Sequence, residues 1–268
     1  MMAFMTSAPI APEIPGAIIA LARAARRITV LTGAGISAES GVPTFRDAQT
    51  GLWTQVDPED LATPAAWARD KPYVNAWFLW RVHLVSAAAP NAGHRALAAW
   101  ARLPDTDLRI VTQNIDDLHE RAGSPVLAHV HGSLFTWRCD RCERPAPTPH
   151  APAEPQQRIE PDPCPHCAFG EIRPGVVWFH EPLPEREFMD AVRVCRDADL
   201  VLVVGTSGIV QPAASLPHLA GARGIPVVEI DPQSTEFSPF ATAVWRSTAG
   251  QALPALVAAL SPGAGSSR

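Results

Sequence analysis

The sequence predicts an α/β chain built on a mostly parallel sheet with helices on both faces. Three observations carry this reading. Short, mainly apolar strand-like runs recur along the chain, stretches of helical rhythm separate them, and Gly or Asp-Pro stops several of the runs.

Residues 13–26 are rich in Ala, Leu and Ile with amphipathic spacing and read as helix. Residues 27–32 form a short strand that ends in Gly33-Ala34-Gly35. Residues 107–112 and 125–130 read as two more buried strands, 199–204 as a strand stopped by Gly205, and 225–230 as one stopped by Asp231-Pro232. Residues 211–222 and 251–260 read as helices. Two stretches break the alternation. Residues 58–100 are helical, rich in Trp and without a strand, which marks a helical insertion. Residues 137–173 hold four paired cysteines around a Pro-rich segment, 143–163, that is expected to be irregular. The tail, 261–268, is expected to fray.

Composition narrows the function. The 268 residues are 47% hydrophobic and 18% charged, a globular balance that excludes a disordered or fibrous chain. The net charge of −5 lacks the basic excess that holds a protein to nucleic acid, so no direct nucleic-acid binding is expected. Residues 1–16 have no basic start, and the apolar run 17–22 is broken by Arg23. Neither a signal peptide nor a membrane span is expected, and the expected location is the cytoplasm.

Ligands of parallel sheets bind beyond the carboxyl ends of the strands, which is where the motifs fall. Gly33-Ala34-Gly35-Ile36-Ser37-Ala38 follows a strand and matches G-x-G-x-x-G/A. Its glycines let backbone approach a pyrophosphate; the competing reading is a tight turn. The polar stretch after it, from Glu39 to Asp47, has the look of a loop that closes over a ligand. The acidic residue expected about 20 positions further on is missing. Gln113, Asn114 and Asp116 follow the second strand and would project into the crevice, able to orient a ribose and an amide. The plainer reading of Asp116 or Asp117 is a helix cap. His129 and His131 follow the third strand; two residues apart they point to opposite faces, so one of them faces the cleft as a general base. Gly205-Thr206-Ser207 and Asp231 mark two further strand ends, and Asp231 can take the ribose-binding role of the missing acid. Cys139/Cys142 and Cys164/Cys167, two C-x-x-C pairs 21 residues apart, specify a closed tetrahedral zinc site with a structural role. Cys195 reads as a core residue.

Together these segments resemble the sirtuin family of NAD-dependent protein-lysine deacylases. The resemblance rests on Gly33 to Arg46, Thr112-Gln-Asn-Ile-Asp-Asp-Leu-His119, His131-Gly-Ser133, the paired cysteines, Val176-Val-Trp-Phe179, Gly205-Thr-Ser207 and Val228-Glu-Ile-Asp231, in the family's order. It implies a Rossmann-like domain (1–57, 101–136 and 174–268) and a smaller domain made of a zinc-ribbon module (137–173) and the helical insertion (58–100). NAD, as co-substrate, and an acyl-lysine segment of a protein would enter the cleft between them. The stretch holding Gly33, Ala34, Gly35, Glu39, Phe45, Arg46 and Trp53 would bind the phosphates and close over the nicotinamide side. Gln113, Asn114, Ile115 and Asp116 would orient the nicotinamide and its ribose. Gly205, Thr206, Ser207 and Asp231 would hold the adenosine half, with Ala249 near the adenine. Val177, Trp178 and Phe179 would cover the substrate peptide. His131 would be the base, with Asn114 and Asp116 beside it. The implied reaction moves an acyl group from lysine to ADP-ribose, releasing nicotinamide, free lysine and 2′-O-acyl-ADP-ribose. A mono-ADP-ribosyltransferase or NAD glycohydrolase could use the same fold and NAD site. The resemblance implies nothing about oligomeric state.

Three departures stand out. The family usually has Asn at Asp231 and Gly at His180. The wording is most similar to the class III branch, which often removes succinyl and malonyl groups through a Tyr-x-x-Arg pair; here the aligned residues are Phe78 and Arg81.

Overall fold

The computed structural model describes residues 13–42 and 58–261. Phe45, Arg46 and Trp53 lie outside these described residues.

The chain runs α1 (Gly16–Ala24), β1 (Arg27–Thr32), α2 (Gly35–Ala38), α3 (Pro58–Leu61), α4 (Pro64–Arg69), α5 (Lys71–Ala87), α6 (Ala92–Trp100), β2 (Asp107–Thr112), α7 (Leu118–Arg121), β3 (Val126–His129) and β4 (Gly132–Cys139). It continues with β5 (Pro145–Ala146), β6 (Ile172–Val176), α8 (Glu185–Asp197), β7 (Leu200–Val204), α9 (Leu216–Gly221), β8 (Val227–Ile230), β9 (Ala243–Trp245) and α10 (Ala249–Leu260). The expected helix over 211–222 is shorter: a 3-10 turn at Ala213–Ser215 precedes α9. Pro212 and Pro217 each remove a backbone donor, which limits the regular turns available there. The three-residue strand β9 was not expected.

Six parallel strands form the main sheet in the order β3-β2-β1-β7-β8-β9. From β1 the chain first builds outward to β2 and β3, then returns to β7 on the other side and builds to β8 and β9. The strand order therefore reverses between β1 and β7, where an open α/β sheet forms its ligand crevice. Burial on both faces explains the uninterrupted apolar run of β7. In β7, Leu200, Leu202 and Val204 join the core with α1, α6 and α10, while Val201 and Val203 join the opposite core with α8 and α9.

A second sheet, β5-β4-β6, is antiparallel and begins one residue after His131. It shares a third core with α4 and α5, including Trp67, Trp77, Phe78, Trp137 and Trp178. The expected insertion over 58–100 is helical apart from short breaks, but its last helix behaves differently. Ala96, Leu97 and Trp100 of α6 pack in the core of the main sheet.

Gly132 makes the turn from β3 into β4. Its φ is +73°, and a Cβ there would collide with the carbonyl of Gly175 on β6. We expect Gly132→Ala to lower the unfolding free energy by more than about 1–2 kcal/mol, the cost of a left-handed alanine before the clash is counted. Urea denaturation measures it; a change within about 0.5 kcal/mol, as for a neutral surface site, would contradict this account.

Candidate active site

The crevice is built from strand ends. Gly33 follows β1, Gln113–Asp116 follow β2, His131 follows β3, Gly205 follows β7 and Asp231 follows β8. Gly33 and Gly35 pack directly on Gly205: a Cβ on Gly35 would lie 2.7 Å from the Gly205 Cα, and one on Gly33 2.7 Å from the Gly205 oxygen. Backbone bonds from Gly33 to the Val204 carbonyl (3.1 Å) and from Gly35 to the Gly205 carbonyl (2.9 Å) fix this approach. Across the crevice the Gln113 amide donates to Thr206 Oγ1 at 3.0 Å.

Below the crevice lies a buried polar cluster. Ser37 Oγ donates to Asp116 Oδ2 (2.9 Å) and accepts from the Asn114 side-chain amide (3.1 Å); His94 Nε2 lies 3.5 Å away. His94 Nδ1 accepts the Asn91 N–H in the capping box that starts α6, so in the neutral ring the proton sits on Nε2, facing Ser37. Asp116 Oδ1 also accepts the Leu118 N–H at 3.1 Å. Burial raises the Asp116 pKa, and its hydrogen bonds from Leu118 and Ser37 oppose the rise. Thr32 Oγ1 donates to Thr112 Oγ1 and contacts His119 Nε2, so the cluster continues beneath β1 and β2. Ser37 and His119 lie within the glycine-loop and Thr112–His119 motifs but carried no assigned role, and His94 was missed; the signal for His94 was the Asn91-x-x-His94 capping spacing.

The two histidines at the end of β3 and just after it separate by environment. His131 Nδ1 meets the Gln113 carbonyl at 3.1 Å, so Nδ1 carries the proton and Nε2 holds the lone pair of a base. Burial lowers its pKa, only partly offset by the Gln113 carbonyl, and keeps the ring neutral at pH 7. His129 meets the Asn114 carbonyl at 3.0 Å and the Glu120 carboxylate at 2.6 Å. Burial pushes its pKa down, but the Glu120 carboxylate outweighs burial and the net shift is upward. Both its ring nitrogens are tied to acceptors, so His129 has a structural role.

Other expected site residues are placed as follows. Glu39 accepts from Thr248 Oγ1 (3.0 Å) and the Gly250 N–H (2.7 Å), tying the glycine loop to the start of α10, where Ala249 is buried. Ile115 is buried against the third core. Asp231 accepts the Gln233 N–H (2.9 Å), and its pKa is raised by burial and by Glu229 nearby. Glu229 is itself buried and bonded to Arg246, Thr235 and Ser238, which pins the loop carrying Asp231. Phe78 is wholly buried, stacked on Trp178 (6.0 Å) and edge-on to Trp77 (4.7 Å). Arg81, one turn later, is 6% exposed and lies 5.1 Å over the Trp77 ring. Burial lowers its pKa to about 10, opposed by the charge of Asp116, so it is still a cation at pH 7. It does not face solvent. Trp178 is a core side chain rather than an open groove wall, whereas Val177 and Phe179 are half-buried.

The four paired cysteines converge. Their sulfurs all lie within 4.8 Å of one another, with Cys139–Cys167 and Cys142–Cys164 both at 3.7 Å. A tetrahedral zinc with bonds of about 2.3 Å requires sulfurs about 3.8 Å apart, so the set fits that ion. The N–H groups of Arg141, Cys142 and His166 point at sulfurs (3.3, 3.4 and 3.3 Å), as thiolates need. Cys195 is buried in α8, and burial pushes its thiol up to about 12, an inert core residue.

A family model described as the Sir2 family matches residues 33–212. NAD-dependent protein deacylase Sir2 from Mycolicibacterium smegmatis is 53% identical over 86% of this chain and 95% of its own length. NAD-dependent protein deacylase 2 from Corynebacterium efficiens is 52% identical over 89% of this chain and 94% of its own. A crystal structure of a Sir2 homolog–NAD complex superposes with a TM-score of 0.85 at 41% identity, covering 93% of this chain and 94% of that one. The chain belongs to the Sir2 family. Among the described residues, no helix is long and apolar enough to cross a membrane.

Two outcomes follow. One zinc per chain should be found by elemental analysis, and Cys139→Ser should lower thermal stability before it changes ADP-ribose affinity; a metal-free protein of full stability would refute the site. Second, His94 and His119 are held by burial to about 4 and about 3. Below their ordinary value of 6.5 the unfolded chain takes up these protons first, so stability is complete above pH 6.5 and falls towards pH 4. Each residue contributes on the order of 3 kcal/mol to that loss. His94→Gln should flatten the fall between pH 6.5 and 4 in urea titrations; an unchanged slope would contradict it.

Proposed function

We propose that this chain is an NAD-dependent protein-lysine deacylase acting in the cytoplasm. Its products are nicotinamide, free lysine and 2′-O-acyl-ADP-ribose. The observation that carries the reading is His131, neutral and with Nε2 unprotonated, at the strand end beside the one that carries Asn114 and Asp116. Relatives named NAD-dependent protein deacylases support it. So does a related structure, 27% identical with a TM-score of 0.76, that holds a deacetylated p53 peptide and 3′-O-acetyl-ADP-ribose.

NAD, when bound, supplies an electrophilic ribose carbon with nicotinamide as its leaving group. We assign Gly33, Ala34 and Gly35 to its phosphates, Gln113, Asn114, Ile115 and Asp116 to the nicotinamide ribose, and Gly205, Thr206, Ser207 and Asp231 to the adenosine half. His131 takes a proton from a ribose hydroxyl at Nε2. Asp116, fixed by Ser37 and Leu118, aligns that ribose. The acylated protein segment would bind along 177–179, between the sheet domain (1–57, 101–136, 174–268) and the small domain (58–100 and 137–173), with α6 on the sheet's side. Its acyl group would end near Phe78 and Arg81.

His131→Ala should reduce deacylation about 10²–10⁴-fold, the usual share of a general base, while ADP-ribose still binds. Nicotinamide release and peptide mass are the readouts; activity within about threefold of wild type would remove His131 from this role. Acyl choice is set by Arg81, whose guanidinium can pair with a succinyl or malonyl carboxylate. A tyrosine hydroxyl at position 78 would add one hydrogen bond to a charged group, worth roughly 1.5–3 kcal/mol. Phe78→Tyr should therefore raise the succinyl-to-acetyl ratio of kcat/KM by about tenfold or more, and Arg81→Met should lower it. A ratio indifferent to both substitutions would leave acetyl groups as the substrate class.

A further inference from the structure

β6 ends at Val176, and residues 177–181 leave the small sheet. Three backbone bonds hold them: Val177 N–H to the His131 carbonyl (2.9 Å), Phe179 N–H to the Ala62 carbonyl (2.8 Å) and Glu181 N–H to the Trp178 carbonyl (3.0 Å). His180 turns the chain at φ +70°, which is why glycine suits this position. A segment with so few ladder bonds and a left-handed turn needs another fastening to keep one shape.

Arg173 supplies it. The residue is 7% exposed, and its two terminal nitrogens donate to Glu181 Oε1 (2.6 Å) and Oε2 (3.0 Å). One of them also donates to the Val176 carbonyl at 3.1 Å. Glu181 Oε2 accepts the Trp178 N–H at 2.9 Å, and the guanidinium sits 3.2 Å from the centroid of the Trp178 ring. A buried cation needs a counter-charge close by. Here carboxylate and carbonyl take the two terminal nitrogens while Nε has no hydrogen-bond partner, the Trp178 ring covers the guanidinium, and the loop of contacts encloses 176–181. The Trp178 ring in turn backs Phe78, which meets Trp77 beneath Arg81. None of the hydrogen bonds made by Arg173 or Glu181 reaches Gly33–Gly35 or Gln113–Asp116.

We propose that Arg173, through Glu181, is the positioning residue for the substrate segment. It holds 177–179 in the shape that receives the acylated peptide and steadies Phe78 from behind. This rests on the deacylase reading. The peptide binds a segment already ordered; without the clamp, part of its binding energy goes to ordering that segment, and the loss appears in peptide affinity.

Glu181→Gln, close in shape but uncharged, and Arg173→Lys, charged but without the fork, test this in the full-length, zinc-loaded protein. Glu181→Gln should raise the KM for an acetyl-lysine peptide about tenfold, with kcat at saturating peptide within about threefold and ADP-ribose Kd within about twofold. Arg173→Lys should fall between the two. An unchanged peptide KM in folded variants, or kcat and ADP-ribose affinity falling as far as KM rises, would overturn the proposal. Should neither variant fold, amide exchange of the wild type decides: 177–181 should be protected without peptide, and free exchange there would refute a built-in clamp. Peptide affinity read by fluorescence anisotropy separates the two readings. If the wild type binds acyl peptide yet never deacylates it, the function fails and the clamp is still judged by affinity.

Discussion

One buried hydroxyl organises the chemistry of this protein. Ser37 has one proton to donate and two lone pairs to offer. The proton goes to Asp116, one lone pair takes the Asn114 amide, and the other faces the His94 N–H. This joins the ends of β1 and β2 to the first turn of α6. A buried polar network of this kind favours one arrangement strongly, because each broken bond strands a partner in a low-dielectric interior. His94 can accept the Asn91 N–H at Nδ1 only while neutral. Burial and the Asn91 cap both hold it so.

The same economy governs the join between the two parts of the small domain. Asp140 lies between two zinc-ligand cysteines, and its carboxylate accepts from Trp67 Nε1 (3.0 Å) and Lys71 (2.8 Å). Lys71 also reaches Glu171 at 2.7 Å. The metal module is thereby fastened to α4 and α5, the helices that carry Trp67, Phe78 and Arg81. Zinc has no open position for catalysis in this arrangement, yet its module sets where α5, with Phe78 and Arg81, stands.

Much of this was legible in the sequence, for identifiable reasons. Central parallel strands are largely buried on both faces, so β7 reads as an uninterrupted apolar run and β1, β2 and β8 as short β-type runs broken by few polar residues. The cysteine spacing carries its own geometry. What stayed hidden depends on long-range contact. β9 is three residues of ordinary composition, recognisable only by its pairing with β8. Glu39 belongs to a glycine-loop motif, yet its carboxylate lies at the start of a helix more than 200 residues away. Nothing in the local pattern near Arg173 or Glu181 shows that they pair, or that Trp178 turns inward between them. His94 lies in the helical stretch 58–100, and only the fold puts it behind Ser37.

The central claim is that the acyl group moves to ADP-ribose at the cost of one NAD. A peptide whose lysine carries a carbon-13-labelled acetyl group, incubated with NAD and the enzyme, tests it directly by mass spectrometry. The account predicts that the label appears on ADP-ribose, with one nicotinamide released for each lysine freed. Nicotinamide released while the label stays on the peptide, or ADP-ribose attached to protein instead, would contradict it.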